Sequence, residues 1–148
     1  MDEKGIVVIP TYNESENISA LIDEINATAP GLDILVVDDG SPDGTAGIVK
    51  LRMEKDSRIH LMERPGKLGL GTAYVQGFKK CLADGYGIII QMDSDFSHQP
   101  KYLLDFLREI KSHDLILGSR YIAQGGTENW SLSRKILSRG GNIYAKMK

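Results

Sequence analysis

The chain reads as an α/β protein with a mostly parallel sheet and helices on both faces. Three observations predict it. Short apolar, β-branched runs alternate with amphipathic helical stretches from the first residues to about residue 118. Those runs lack polar alternation, as expected of strands covered on both sides. Two of them end directly in aspartates followed by Gly or Ser, as strands do where they meet loops at a ligand-facing edge.

In chain order, Gly5-Ile6-Val7-Val8-Ile9-Pro10 is the first strand, and the loop Thr11–Asn17 leads into a helix carrying Ile18, Leu21, Ile22 and Ile25. Asp33–Asp39 is a second strand ending in two acids, with a tight turn at Gly40-Ser41-Pro42-Asp43-Gly44-Thr45 and a helix running to Lys55. Arg58–Met62 is a third strand, Gly69–Leu82 a third helix, and Gly87–Met92 a fourth strand expected to be buried on both faces. Pro100 opens a helix through Ile110 with an apolar face at Leu103, Leu104, Leu107 and Ile110. Asp114-Leu115-Ile116-Leu117-Gly118 is the expected fifth strand. Beyond it, Ala123–Thr127 reads as a flexible loop, and Ser131–Lys148 holds five basic residues and no acidic one.

Bulk properties narrow the function. At 148 residues one domain is the default, and 41% hydrophobic and 26% charged residues mark a globular chain. A net charge of −2 does not favour nucleic acid. The single cysteine, Cys81, has no disulfide partner and reads as a core thiol in a reducing compartment. No apolar run approaches the roughly 20 residues that span a bilayer, and the start does not read as a signal peptide, so a cytoplasmic location is expected, with any membrane contact peripheral.

The first loop, Pro10-Thr11-Tyr12-Asn13-Glu14, has no glycine and carries an acid where a Rossmann loop would cradle a pyrophosphate, which argues against NAD or FAD. Gly66-Lys67-Leu68-Gly69-Leu70-Gly71 follows the third strand and has neither the Rossmann spacing nor a Walker ending. If the sheet grows outward from strand 1 and then returns to its other side, strands 1 and 4 become neighbours. Asp93-Ser94-Asp95 then lies beside the first loop. Two hard oxygen donors there suit a divalent cation that also carries phosphate oxygens, while Tyr12, Glu14 and Asp39 could stack on and hydrogen-bond a base and ribose. Ordinary uses of the same residues stay open: Asp95 capping a turn, Asp93 ending a strand, Tyr12 as a half-buried surface aromatic, Asp38 capping backbone amides.

Taken together and in order, Val8–Glu14, Val37–Thr45, Leu68–Tyr74, Met92–His98 and Gly118-Ser119-Arg120-Tyr121 resemble family 2 glycosyltransferases, more narrowly the dolichyl-phosphate (polyprenyl-phosphate) mannosyltransferases. The resemblance extends through Ser133–Gly140 and so covers nearly the whole chain. It implies a GT-A nucleotide-diphospho-sugar transferase fold, Rossmann-like, over 1–148, with the C-terminal part of the catalytic domain missing and 131–148 as a basic amphipathic tail. The family's catalytic domains continue beyond the equivalent of Lys148, so the resemblance implies a fragment, a truncated reading frame, or a partner that supplies the rest.

Carried over by position, the resemblance implies that Pro10, Tyr12, Glu14, Val37 and Asp39 contact the nucleoside of GDP-mannose. Asp93, Ser94 and Asp95 would hold Mg²⁺ or Mn²⁺ and the diphosphate, with Ser97, a neutral ligand, in the family's third metal position. Arg120 would bind the acceptor phosphate or the diphosphate; without that context it is a surface arginine after a strand. Asp95 and Arg120 are the residues expected to carry catalysis. The implied reaction moves mannose to dolichyl or polyprenyl phosphate with inversion. The acceptor phosphate is largely dianionic at pH 7 and needs no general base, so His60 and His98 read as structural. The acceptor lies in a membrane, so the expected location is the cytoplasmic membrane face, with a membrane-anchoring subunit or domain as a further partner. Leu132, Ile136, Ile143 and Met147 among the basic residues of 131–148 fit a helix lying on an anionic surface, or equally one packed on another part of the domain. The alternatives are another family 2 transfer, such as UDP-glucose to polyprenyl phosphate, and a non-catalytic nucleotide-sugar-binding fragment.

Overall fold

The computed structural model describes residues 3–119 and Ser138. It divides into two compact units, Met1–Lys111 and Ser112–Lys148. The first contains β1 (Gly5–Thr11), α1 (Ile18–Thr28), β2 (Asp33–Asp38), α2 (Thr45–Met53), β3 (Ile59–Glu63), α3 (Leu70–Ala83), β4 (Ile88–Gln91) and α4 (Leu103–Glu109). All strand pairings are parallel, in the order β3-β2-β1-β4. Strands 1 and 4 are neighbours, as the doubly wound reading predicts.

Alternation along β1 and β2 divides the core into two layers. Val7, Ile9, Ile34 and Val36 face one side, where Ile18, Leu21, Ile22 and Ile25 of α1, Val49 of α2 and Leu103 of α4 cover them. Ile6, Val8, Leu35 and Val37 face the other and meet Ala73, Tyr74 and Cys81 of α3. Burial raises the Cys81 thiol above its ordinary pKa, which suits the core role expected of it. Pro10 is tolerated in the central strand because its position faces the β4 side, and that ladder has already ended at Val8 and Gln91.

Three expectations are corrected. β4 is not buried on both faces: Ile88, Ile89 and Ile90 are half-buried, because among the described residues this strand has a neighbour on one side only. The helix after Pro100 begins as a 3-10 turn, Pro100–Tyr102, and its α-helical part buries Leu103 while Leu104 stays 54% exposed. Asp114–Gly118 is not a strand. Residues 115–119 have no regular structure, and Leu115 and Leu117 are 71% and 79% exposed. An apolar run becomes a strand only when its backbone donors and acceptors find a partner ladder, and none of the described residues provides one.

At the N-terminal end of β2, Asp33 accepts hydrogen bonds from Tyr86 Oη (2.5 Å) and Lys4 Nζ (2.8 Å), with His60 Nε2 at 3.5 Å. Burial opposes ionisation of Asp33, but the Lys4 and Tyr86 donors outweigh it and hold the carboxyl below its usual range. A group depressed in the folded state stabilises it above the unfolded pKa of about 3.9 and loses that contribution as pH falls through the folded value. The urea midpoints of wild type and Asp33→Asn are therefore expected to differ by a constant amount above about pH 4 and to converge in stronger acid.

α3 lies close to the sheet because Gly77 has no side chain: a Cβ there would come within 2.7 Å of Val8 Cγ1 and 3.3 Å of Val37 Cγ2. Gly77→Val is expected to cost about 1–3 kcal/mol in urea unfolding through overpacking. Gly71→Ala, on the same helix with nothing near its Cβ position, is expected to gain up to about 1 kcal/mol.

Candidate functional site

Parallel pairing brings the C-terminal ends of the strands to one edge, with Thr11 opposite Asp38 and Asp38 opposite Glu63. The loops after β1 and β2 are joined there by backbone amides donating to side chains: Asn13 N to Ser41 Oγ (3.0 Å), Glu14 N to Thr45 Oγ1 (3.0 Å) and Ser15 N to Asp43 Oδ2 (2.9 Å). The Thr45 hydroxyl, with the Ser15 and Thr45 amides, holds the Asp43 carboxyl well below the usual carboxylate range. Asp38 accepts from Thr11 Oγ1 (2.8 Å), Ser41 N (2.9 Å) and Ser41 Oγ (2.6 Å). Its carboxylate closes the turn, the ordinary use the sequence allows for it.

Asp39 sits one residue beyond β2, its amide donating to Thr11 O of β1. Its carboxylate, 4% exposed, meets Arg64, 5% exposed, in a two-pronged ion pair: Nε to Oδ1 at 2.6 Å and Nη2 to Oδ2 at 2.8 Å. Leu68 N also donates to Oδ2, at 3.0 Å. Burial opposes the charge on Asp39, but the Arg64 and Leu68 donors outweigh it and lower the carboxyl's pKa. The other guanidinium hydrogens reach Gly69 O (3.3 Å), Thr72 Oγ1 (2.9 Å) and Gln76 Oε1 (3.4 Å). Gly40, at φ +68°, completes the contact, since a Cβ would lie 3.3 Å from both Arg64 O and Gly66 Cα. From the loop after Arg64, Lys67 Nζ stands 4.4 Å over the Tyr12 ring.

After β4, Asp93 Oδ1 accepts from Tyr74 Oη at 2.7 Å, and Asp93 N donates to His98 Nδ1 at 3.1 Å. With Nδ1 as an acceptor, the ring proton sits on Nε2, 3.8 Å from Asp93 Oδ2. Burial and the neighbouring Asp93 charge raise the Tyr74 pKa far above normal, so the phenol keeps its proton and donates. Ser97 N donates to Asp95 Oδ1 at 2.9 Å. Burial opposes ionisation of Asp95, yet the Ser97 donors leave its carboxyl below the ordinary range. Between the acids and Ser97, Phe96 adopts φ +58°, unusual for a bulky residue, while its ring packs on the core.

This donor set fits a hard divalent cation. Each ionised carboxylate offers about four lone-pair directions, and the bonds to Tyr74 and Ser97 orient Asp93 and Asp95 while leaving others open. No group of three or more His, Cys, Asp or Glu side chains converges among the described residues, so two carboxylates require oxygen ligands from a bound phosphate or water to complete a coordination shell.

The predicted positions are placed as follows. Tyr12 (36% exposed), Glu14, Asp39, Asp93, Ser94, Asp95 and Ser97 all lie in loops at this edge. Glu14 is engaged with Asn17 Nδ2 at 2.9 Å. Pro10 and Val37 are buried strand residues paired in register, and Val37, 0% exposed, packs beneath α3, so its side chain does not reach the loops. Arg120 and the 131–148 tail lie outside the described residues, Ser138 excepted. His60 is at the opposite end of the sheet near Asp33, in keeping with its structural reading. Arg64, Lys67 and Tyr74 had no assigned role in the sequence. The available signals were a buried acid that needs a cation, and a tyrosine on a core-facing helix stripe whose hydroxyl needs a partner.

Removing one partner of the buried pair leaves the other charge uncompensated. Asp39→Ala is therefore expected to destabilise the fold by about 3–5 kcal/mol in urea unfolding, with the smaller shift in midpoint expected for Asp43→Ala, at an exposed loop.

The family model for Glycosyl transferase family 2 matches residues 6–148. An undecaprenyl-phosphate mannosyltransferase of Micrococcus luteus is 40% identical over 142 residues, spanning 96% of this chain and 58% of the relative. A polyprenol monophosphomannose synthase of Mycolicibacterium smegmatis is 41% identical over 146 residues, spanning 97% and 55%. The chain thus covers little more than half the length of these relatives. Among solved structures, a mannosyltransferase of Pyrobaculum calidifontis in complex with GDP-Man and Mn²⁺ aligns at TM-score 0.57 and 26% identity, over 64% of this chain and 28% of that one. S. aureus TarS 1–349 aligns at TM-score 0.62 and 22% identity, over 84% and 38%, a likeness of fold alone. With a parallel β3-β2-β1-β4 sheet of GT-A type and a family match over nearly its whole length, the chain belongs to glycosyl transferase family 2.

Proposed function

We propose that this chain carries the donor site of a metal-dependent transfer of mannose from GDP-mannose to dolichyl or another polyprenyl phosphate, with inversion. The observation that carries the reading is the oriented pair Asp93 and Asp95 at the end of β4, on the edge that also holds Tyr12 and Asp39. The two mannosyl-transferring relatives, and the GDP-Man and Mn²⁺ of the P. calidifontis structure, support it.

In this reading Tyr12 offers its ring to the base, and Glu14 and Asp39 accept from the nucleoside. Asp93 and Asp95 would hold Mg²⁺ or Mn²⁺, and the bound ion would supply charge neutralisation for a departing diphosphate. Ser94 and Arg120 contact phosphate oxygens. Ser97 acts by holding Asp95, since the bond it makes is to that carboxylate. The acceptor phosphate attacks as a dianion, so no side chain has to remove a proton. His98 is consistent with that chemistry, because its Nδ1 is occupied by the Asp93 amide. In the same reading the protein acts peripherally at the cytoplasmic membrane face, where its lipid acceptor lies, with an anchoring subunit or domain as a partner. No helix among the described residues is long and apolar enough to cross a membrane.

Titration of GDP-mannose by calorimetry tests the reading. Binding is expected with Mn²⁺, and is expected to vanish with EDTA or in Asp95→Ala. A folded chain that binds GDP-mannose equally well in EDTA, or not at all, would sink the metal-assisted donor site. Tyr74→Phe removes the hydroxyl that orients Asp93 and is expected to weaken Mn²⁺ about 10–100-fold in the presence of GDP, with circular dichroism unchanged.

A further inference from the structure

We infer that Arg64 is the positioning residue of the nucleoside site, clamping Asp39 and the turn that follows β3 so that the Asp39 carboxylate is held in one orientation for the ligand. The inference rests on the donor-site reading, and it adds a residue that never touches the donor.

Three features of the geometry lead to it. First, the guanidinium is fully committed. Its five N–H groups reach Asp39 twice, Gly69 O, Thr72 Oγ1 and Gln76 Oε1, so one side chain joins the ends of β2 and β3 to the first turns of α3. A lysine ammonium has three donors and no planar fork, and cannot reproduce this set. Second, the Asp39 carboxylate is held from two sides. Oδ1 takes Arg64 Nε, and Oδ2 takes Arg64 Nη2 and Leu68 N, with the Gly69 backbone amide as a further donor, so its orientation is fixed before a ligand arrives. Third, the clamp fixes the loop that carries Lys67, whose ammonium stands over the Tyr12 ring where a base would stack. Gly40 seats against the same loop without room for a side chain.

Arg64 also keeps Asp39 ionised in a site that burial would otherwise neutralise. Without the guanidinium, the carboxyl would take up a proton at higher pH and lose its acceptor role. That makes a pH profile the readout a merely structural residue would not move.

The experiment compares the 148-residue wild type with Arg64→Gln and Arg64→Lys. GDP-mannose affinity with Mn²⁺ is measured between pH 8 and pH 6, where its diphosphate does not titrate, and hydrogen exchange of the Leu68 amide is measured without nucleotide. Wild type is expected to show flat affinity and a protected Leu68 amide. Arg64→Gln is expected to bind GDP-mannose at least tenfold more weakly at pH 8, to weaken further toward pH 6, and to lose Leu68 protection. Arg64→Lys, which keeps charge but not the fork, is expected to restore the flat pH profile while leaving the amide exposed to exchange. The inference is overturned if either folded variant matches wild type in affinity and in Leu68 protection. Should Arg64→Gln fail to fold, Arg64→Lys decides by the same two measurements. Should wild type bind no nucleotide, the donor-site reading falls, and the Leu68 amide still decides the clamp: unchanged protection in Arg64→Lys refutes it.

Discussion

Parallel pairing of β1 between β2 and β4 is the constraint on which the rest of this molecule depends. A parallel ladder requires each connection to cross back over a face of the sheet, and α1, α2 and α3 are those crossings. Both faces are therefore covered, which is why β1 and β2 contain continuous runs of buried aliphatic side chains. The same constraint sends all C-terminal strand ends to one edge. Residues far apart in sequence, such as Tyr12, Asp39 and Asp93, become parts of one loop cluster as a consequence of sheet order.

The edge then has to hold its charges. Asp39 is buried, and a buried carboxylate is tolerable only if it is paired and fully hydrogen-bonded. Arg64 does this and, with its remaining donors, secures the turn into α3. A similar economy operates at Asp93, where Tyr74 on the core-facing side of α3 directs one oxygen and His98 takes the backbone amide. The site's acids are thus oriented from beneath by the packing that stabilises the fold. This is the arrangement expected where carboxylates must be held in place before a ligand arrives.

Much of this was legible in the residues. Strand and helix positions in the first unit follow hydrophobic periodicity closely, and the adjacency of β1 and β4 follows from the doubly wound pattern. Asp38 as a turn-closing carboxylate was readable from Gly40-Ser41-Pro42-Asp43-Gly44 next to it. Misreadings occurred where outcome depends on a partner distant in sequence. The run Asp114–Gly118 has strand composition but no ladder among the described residues, and β4 has strand composition but one uncovered edge.

The sequence by itself determined the class of fold, the family, and the presence of paired acids at strand ends, because each is written in local periodicity, turn chemistry or a motif of fixed spacing. Tertiary structure alone decided which acids are clamped and which stay open to a ligand. Asp39 and Asp93 look alike as aspartates just past a strand; one is matched by a buried guanidinium and the other by a phenol. That difference arises from Arg64 and Tyr74, separated from their partners by 25 and 19 positions, whose meeting is set by the twist and order of the sheet.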